Sequence, residues 1–240
     1  MRGEWLHRHG ASTLVVFFNG WSMDSTPMTP LTARDCDVLA ISDYRHLGLD
    51  CDLSGSAAGY DQTILLAWSM GVWAAQKFLA GQSHVFDRAL AINGTLCPID
   101  DRFGIPPALF AATREQFDEK ARLKFYRRMC RKKEILERFL AHRPARSLAG
   151  QLAELIALEA QVECWSATDA LYDHILISDQ DMIMPTENQR AFWQVDQELP
   201  SAQKGRPDRK IVEIAAPHFP FYRWQGWDEL LAEVWGTGYA

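Results

Sequence analysis

Six short apolar runs punctuate the chain: TLVVFF at 13–18, DVLAI at 37–41, TILLAW at 63–68, RALAIN at 88–93, HILIS at 174–178 and KIVEIA at 210–215. Each has strand length, and several are apolar at consecutive positions rather than alternate ones. A sheet with one wet face needs alternation, whereas parallel strands covered by helices on both sides do not. Helix-like segments separate the runs, so the pattern predicts an α/β fold with a mostly parallel central sheet and helices on both faces. Between the fourth and fifth runs the strand signal disappears. There PALFAATREQFDEKARLKFYRRMCRKKEILERFLAHR and SLAGQLAELIALEAQ carry apolar residues at helical spacing, punctuated by Pro106, Pro107 and Pro144. An all-helical insertion after a central strand is expected to cover the carboxyl ends of the strands, where such sheets bind ligands. The expected organisation is a core of residues 1–97 and 173–240 with a helical cap at 98–172.

Composition narrows this picture. A chain of 240 residues with 48% hydrophobic content can bury a sizeable core. The leading MRGEWLHRHG passes into the first apolar run without a small-residue cleavage site or a membrane-length span, so neither secretion nor a membrane partner is expected. Cys36, Cys51, Cys97, Cys130 and Cys164 show no C-x-x-C spacing. Neither a disulfide framework nor a zinc cluster is expected from them, and the reducing cytoplasm is the expected compartment. Most of the nine tryptophans are expected in the core.

Charge changes the picture more than composition does. The net charge is -6, yet residues 102–146 hold 13 Lys/Arg against 5 Asp/Glu, a local surplus of +8. That asymmetry favours an acidic partner, with a solvated helix face as the bland alternative. Overall acidity and the lack of a reader motif count against nucleic acid.

The candidate chemistry begins at AWSMG, residues 67–71, where a strand pattern meets a helix pattern. A serine on a sharp strand-to-helix turn projects its hydroxyl into an open site, and crowding at that turn usually demands the pattern G-x-S-x-G. Here Ala67 and Gly71 hold the flanking positions, and alanine is the smallest departure from glycine. Ser69 is therefore the candidate nucleophile. An acid and a base follow in the chain order of α/β hydrolases. After HILIS comes DQDMIMP, with Asp181 four residues before Pro185; Asp179 competes with it for the role of the acid. After the last run comes PHFPFY, which places His218 in a loop beyond the strand, whereas His7, His9, His46, His84, His142 and His174 do not fall where this topology puts a base. Nucleophile, base and acid at three strand ends form a triad. Its oxyanion needs donors. The amide of Met70 follows the nucleophile, and that of Trp21 lies in FFNGWSMD after the first run. No metal-ligand cluster or cofactor motif is apparent.

FFNGWSMD, AWSMG, FYRRMC and PHFPF together resemble the BioG family of pimeloyl-acyl carrier protein methyl ester esterases, which have the α/β-hydrolase fold. The resemblance spans nearly the whole chain. It implies removal of the methyl group from pimeloyl-acyl carrier protein methyl ester during biotin synthesis, without metal or organic cofactor. It also implies the roles above for Ser69, Asp181, His218, Trp21 and Met70, and an acidic acyl carrier protein as partner. A cationic cap would dock that carrier, with Arg122, Arg127, Arg128, Arg131 and Lys132 as candidates. Competing readings are another carboxylesterase or thioesterase of this fold, or an inactive binding protein for an acidic partner.

Overall fold

The computed structural model describes residues 1–81, 86–194 and 209–236. The six apolar runs all form strands: β2 (Thr13–Phe18), β3 (Cys36–Ser42), β4 (Gln62–Trp68), β5 (Arg88–Ile92), β6 (His174–Gln180) and β7 (Lys210–Pro217). A seventh, β1 (Arg2–His7), precedes them at the sheet edge and pairs antiparallel with β3. Its sequence, RGEWLH, escaped the hydrophobic pattern because an edge strand with exposed positions carries no apolar run. The order across the sheet is β1-β3-β2-β4-β5-β6-β7, and every pair except β1 with β3 is parallel.

Burial on both faces explains the uninterrupted apolar runs. All six side chains of β2 are buried, Leu14, Val16 and Phe18 in one core cluster and Val15 and Phe17 in the other. The first cluster takes up α2 (Met70–Leu79), and the second takes up α8 (Trp227–Trp235), where the Phe17 ring meets Trp227 edge-on at 5.1 Å. A short α1 (Leu53–Ala57) precedes β4, and α7 (Thr186–Gln194) follows β6. Trp68, Trp73, Trp193, Trp224 and Trp227 are fully buried.

Between β5 and β6 the chain forms α3 (Pro107–Glu115), α4 (Glu119–Cys130), α5 (Lys133–Ala141) and α6 (Leu148–Gln161). Asp118 caps α4 by accepting from the Ala121 amide, and Ser147 caps α6 by accepting from the Gly150 amide. Cys97 and Cys164, at the two stems of this helical segment, form a disulfide across 67 residues of sequence. No such bond was expected, because pairing across so long an insertion leaves no local spacing to read. Among the described residues no helix is long and apolar enough to cross a membrane.

The chain turns from β2 outward to β3, and from β4 in the opposite direction to β5, β6 and β7. The carboxyl ends of β2 and β4 therefore flank a topological switch point, the natural ligand crevice of an open parallel sheet.

Candidate active site

Ser69 occupies the turn from β4 into α2 at φ 57° and ψ -127°, a backbone conformation that L residues rarely adopt. Such strain persists only where the surroundings impose it. Here the Ser69 amide donates to the Ile92 carbonyl at 2.9 Å, and the Val72 amide donates to the Ser69 carbonyl at 3.0 Å. The crowding expected of this turn is real at Gly71, where a Cβ would come within 2.4 Å of the carbonyl oxygens of Phe18 and Asn19. Ala67, by contrast, is an ordinary buried strand residue between Phe18 and Ala91, which is why a methyl group is tolerated there.

The structure brings the three candidate side chains together. His218 Nε2 lies 2.9 Å from Ser69 Oγ, and His218 Nδ1 lies 2.6 Å from Asp181 Oδ2. A carboxylate only accepts, so Nδ1 donates to Asp181 and Nε2 is left to accept the serine proton. Asp181 Oδ1 accepts from the amides of Ile183 and Met184 at 2.8 and 2.9 Å, and Oδ2 also accepts from Gln189 Nε2 at 2.9 Å. Asp179 is exposed on β6, whereas Asp181, just past its end, is buried. His84 lies outside the described residues.

Several supporting residues gave no signal in the sequence. Asn93, just beyond β5 at φ 48°, donates from Nδ2 to the His218 carbonyl at 3.0 Å and to Ser178 Oγ at 2.8 Å. Its Oδ1 accepts from the Ser178 amide at 2.7 Å, tying the His218 loop to β6, the strand that leads into Asp181. Trp68 Nε1 donates to the same His218 carbonyl at 2.8 Å. A polar residue closing an apolar run is the only sequence trace of Asn93, and it reads equally well as a turn.

Trp21 and Met70 border the crevice beside Ser69 and His218. Met70 opens α2, where the helix supplies no acceptor for its amide. The Trp21 amide has no hydrogen-bond partner among the described residues. Gly20 is required between Asn19 and Trp21 because a Cβ there would strike the Trp68 ring at 2.8 Å. The Trp21 indole packs against Phe117 and Phe125 of the helical segment at 5.2 and 5.0 Å. Phe110, Phe125 and Leu155 extend the apolar wall of a crevice of about 590 Å³.

Among the described residues of the crevice lining Arg128 carries a formal charge, and it donates to the Met182 carbonyl at 2.6 Å. Arg127, Arg131 and Lys132 are exposed. Arg122 differs from its expected orientation: only 13% of its side chain is exposed, and it bonds Glu119 at 2.6 Å while reaching Gln151 Oε1 at 3.5 Å. Its helix face turns toward α6 rather than outward, which the charge run could not show.

Residues 1–230 match the family described as pimeloyl-ACP methyl esterase BioG. The chain belongs to that family. BioG from Haemophilus influenzae, solved as a crystal structure, shares 33% identity and superposes with a TM-score of 0.80, covering 96% of this chain and 99% of that one. A putative aryl esterase from Burkholderia cenocepacia, at 13% identity, shares the fold with a TM-score of 0.61 over 92% of this chain and 88% of its own. A Bacteroides fragilis protein named malonyl-[acyl-carrier protein] O-methyltransferase is 36% identical over 180 residues, 75% of this chain. The chain spans only 36% of that relative's length. Membership of the BioG family makes this chain a carboxylic ester hydrolase of the α/β-hydrolase fold, acting as a pimeloyl-ACP methyl esterase.

Proposed function

We propose that Ser69, His218 and Asp181 carry out this hydrolysis as a catalytic triad, with the amides of Trp21 and Met70 as the oxyanion hole. The observation that carries the reading is the continuous chain of short contacts from Asp181 through His218 to Ser69 on a strained strand-to-helix turn. In the first half-reaction the Ser69 oxygen attacks the ester carbonyl while His218 Nε2 takes its proton. The new C–O bond places negative charge on the carbonyl oxygen, which the two amides stabilise. Collapse breaks the bond to methoxide, and His218 returns the proton to release methanol. Water then attacks the acyl-enzyme by the same route, yielding the free carboxylate and regenerating Ser69. Asp181 keeps the proton on Nδ1 throughout and offsets the imidazolium charge. Each step is assigned to a group of this chain.

The apolar wall of Trp21, Phe110, Phe125 and Leu155 suits the methylene chain of a pimeloyl ester. In this reading residues 98–172 act as a cap over the core of 1–97 and 173–240. The exposed Arg127, Arg131 and Lys132 attract the acidic carrier, with Arg128 at the crevice. The carrier bearing the pimeloyl methyl ester is the one partner the reading requires, and neither nucleic acid nor membrane enters it. A cytoplasmic location follows from biotin synthesis in bacteria. The Cys97–Cys164 bond pulls the other way, since a reducing compartment favours two thiols.

Mass spectrometry of pimeloyl-acyl carrier protein methyl ester incubated with the protein tests the reading. Loss of one CH2 with the acyl-carrier thioester intact is expected. Cleavage at the thioester would make the protein a thioesterase, and an unaltered carrier species with no labelling of Ser69 by a fluorophosphonate would sink the triad.

A further inference from the structure

The loop that holds the Trp21 amide is fastened from the helical insertion. Trp21 Nε1 donates to the Gln151 carbonyl at 2.9 Å. The next residue, Ser22, is held three more times from α6. Its amide donates to Glu154 Oε2 at 3.1 Å, and Gln151 Nε2 donates to its carbonyl at 3.0 Å and its hydroxyl at 2.9 Å. Ser22 stands at φ 77°, in the left-handed region that favours glycine, so this turn depends on outside partners to keep its shape. Arg146 and Ala145, in the link before α6, extend the grip to Met23 and Asp24. Arg146 donates to the Met23 carbonyl at 3.3 Å, and the Ala145 amide donates to Asp24 Oδ2 at 2.8 Å.

Gln151 and Glu154 are both fully buried, one turn apart on α6. A polar pair on the buried face of a helix is costly unless every polar atom is answered. Glu154 answers with the Ser22 and Tyr44 amides and an ion pair to Arg146, which also lies 3.3 Å from Asp43. Burial raises the carboxyl of Glu154 against the opposing pull of Arg146 and the two amides. Apolar residues would have packed α6 without that cost. Besides Arg122, Tyr126 and Arg146 within the insertion, these two side chains reach residues 22 and 44, in the loops that follow β2 and β3.

We infer that Gln151 and Glu154 are positioning residues for the esterase reaction, whose side chains set the oxyanion-hole loop from the insertion side by holding Ser22, next to the Trp21 that the α6 backbone at 151 also holds. The inference rests on the hydrolase reading above. It makes the insertion necessary for turnover of any ester, including one with no carrier attached. An undocked α6 would leave Ser69 and His218 in place but free the amide of Trp21 from its aim. A shift of that amide weakens stabilisation of the tetrahedral oxyanion while leaving ground-state binding almost untouched.

The test is Gln151→Met, of similar length but without the amide, assayed on p-nitrophenyl butyrate alongside its melting temperature. Loss of one oxyanion donor costs about 10² to 10³ in kcat, so kcat should fall toward that range with KM changed by less than about threefold. Affinity for butyl boronic acid, whose tetrahedral adduct on serine imitates the oxyanion, should fall by about tenfold or more. A purely structural role would lower the melting temperature but leave kcat per folded molecule and boronate affinity alone. If Gln151→Met does not fold, Glu154→Gln, which keeps the volume but leaves a single acceptor oxygen for the amides of Ser22 and Tyr44 and no charge for Arg146, is read by the same three measurements. Unchanged kcat and boronate affinity in whichever folded variant is obtained overturn the inference alone, provided the unmodified protein turns the ester over. An unmodified protein that neither turns over the ester nor labels at Ser69 overturns the hydrolase reading and this inference with it.

Discussion

On the sheet side of the crevice Asp181 is buried and uses both carboxylate oxygens within the chain, on two amides, Gln189 and His218. On the cap side Arg127, Arg131 and Lys132 are exposed, with no ion pair to any described residue. The two regions answer different physical demands. Proton transfer fails if a donor and an acceptor are displaced by a fraction of an ångström, so its side chains are fixed by packing, strained turns and satisfied hydrogen bonds. Attraction of an acidic protein works through a field that reaches about 8 Å at physiological salt, so its side chains need only be charged and outward. Tightly held groups should therefore fail singly and severely, and exposed cations collectively and mildly.

The largest effect is expected at the triad. Ser69→Ala and His218→Ala should each lower kcat by about 10⁴ or more, with the double variant scarcely worse, because the residues act as one unit. Steady-state turnover of a small ester checks this, and near-normal activity in Ser69→Ala would end the assignment. Asp181→Asn should cost about 10⁴ by disturbing the imidazole tautomer, and Asp179→Asn should cost almost nothing. The reverse ranking would transfer the acid role to the exposed residue.

Next comes Asn93→Ala, which leaves Ser69, His218 and Asp181 in the chain but removes the tie between the His218 loop and Ser178. Orphaning buried partners costs roughly 1–3 kcal/mol of stability. Denaturant unfolding should show that loss, and kcat should fall by about tenfold to a hundredfold as the imidazole gains freedom. Unaltered values in both assays would show that Trp68, which bonds the same carbonyl, suffices alone.

The smallest effect belongs to the rim. Arg127, Arg131 and Lys132 changed together to Glu should raise KM for the carrier-borne ester by about tenfold, leaving a small free ester unaffected. High salt should act in the same direction on the unmodified protein, since the Debye length falls to about 3 Å at 1 M. Equal losses on both substrates would mean that the rim is part of the built site, and the contrast between the two regions would disappear.

Legibility in the sequence follows the same division. Strands β2 to β6 were readable because burial on two faces leaves a continuous apolar run; β7, at the far edge and partly exposed, was readable from the apolar letters of KIVEIA, and β1 was not because RGEWLH leaves no such run. Ser69, Asp181 and His218 were readable because each stands just past a strand pattern, and the structure brings all three within hydrogen-bonding distance. Asn93, Gln151 and Glu154 were not. A polar residue on a buried helix face has the same letter as one on a wet face, and only the fold reveals which partners surround it. Arg122 makes the complementary case, an arginine within a basic run that turns inward to Gln151. The Cys97–Cys164 pairing was hidden by distance along the chain.

The placement of the four helices α3 to α6 between β5 and β6 also has a temporal side. These two strands are neighbours in the sheet, yet about 80 residues separate Ile92 from His174. Zipping them closes a long loop, but the entropic penalty grows only logarithmically, by about 0.6 kcal/mol for each doubling of length. A long insertion is thus a small thermodynamic burden but a large kinetic one, because non-local pairing is slow to find. During synthesis β1 to β5 emerge first, with Ser69 and the Trp21 loop already among them, and the strands leading to Asp181 and His218 arrive after the helices. In the proposed mechanism the nascent enzyme carries its nucleophile well before its base. Asn93 sits at the seam where the late strands dock, and its bonds to Ser178 and the His218 carbonyl form only once they arrive.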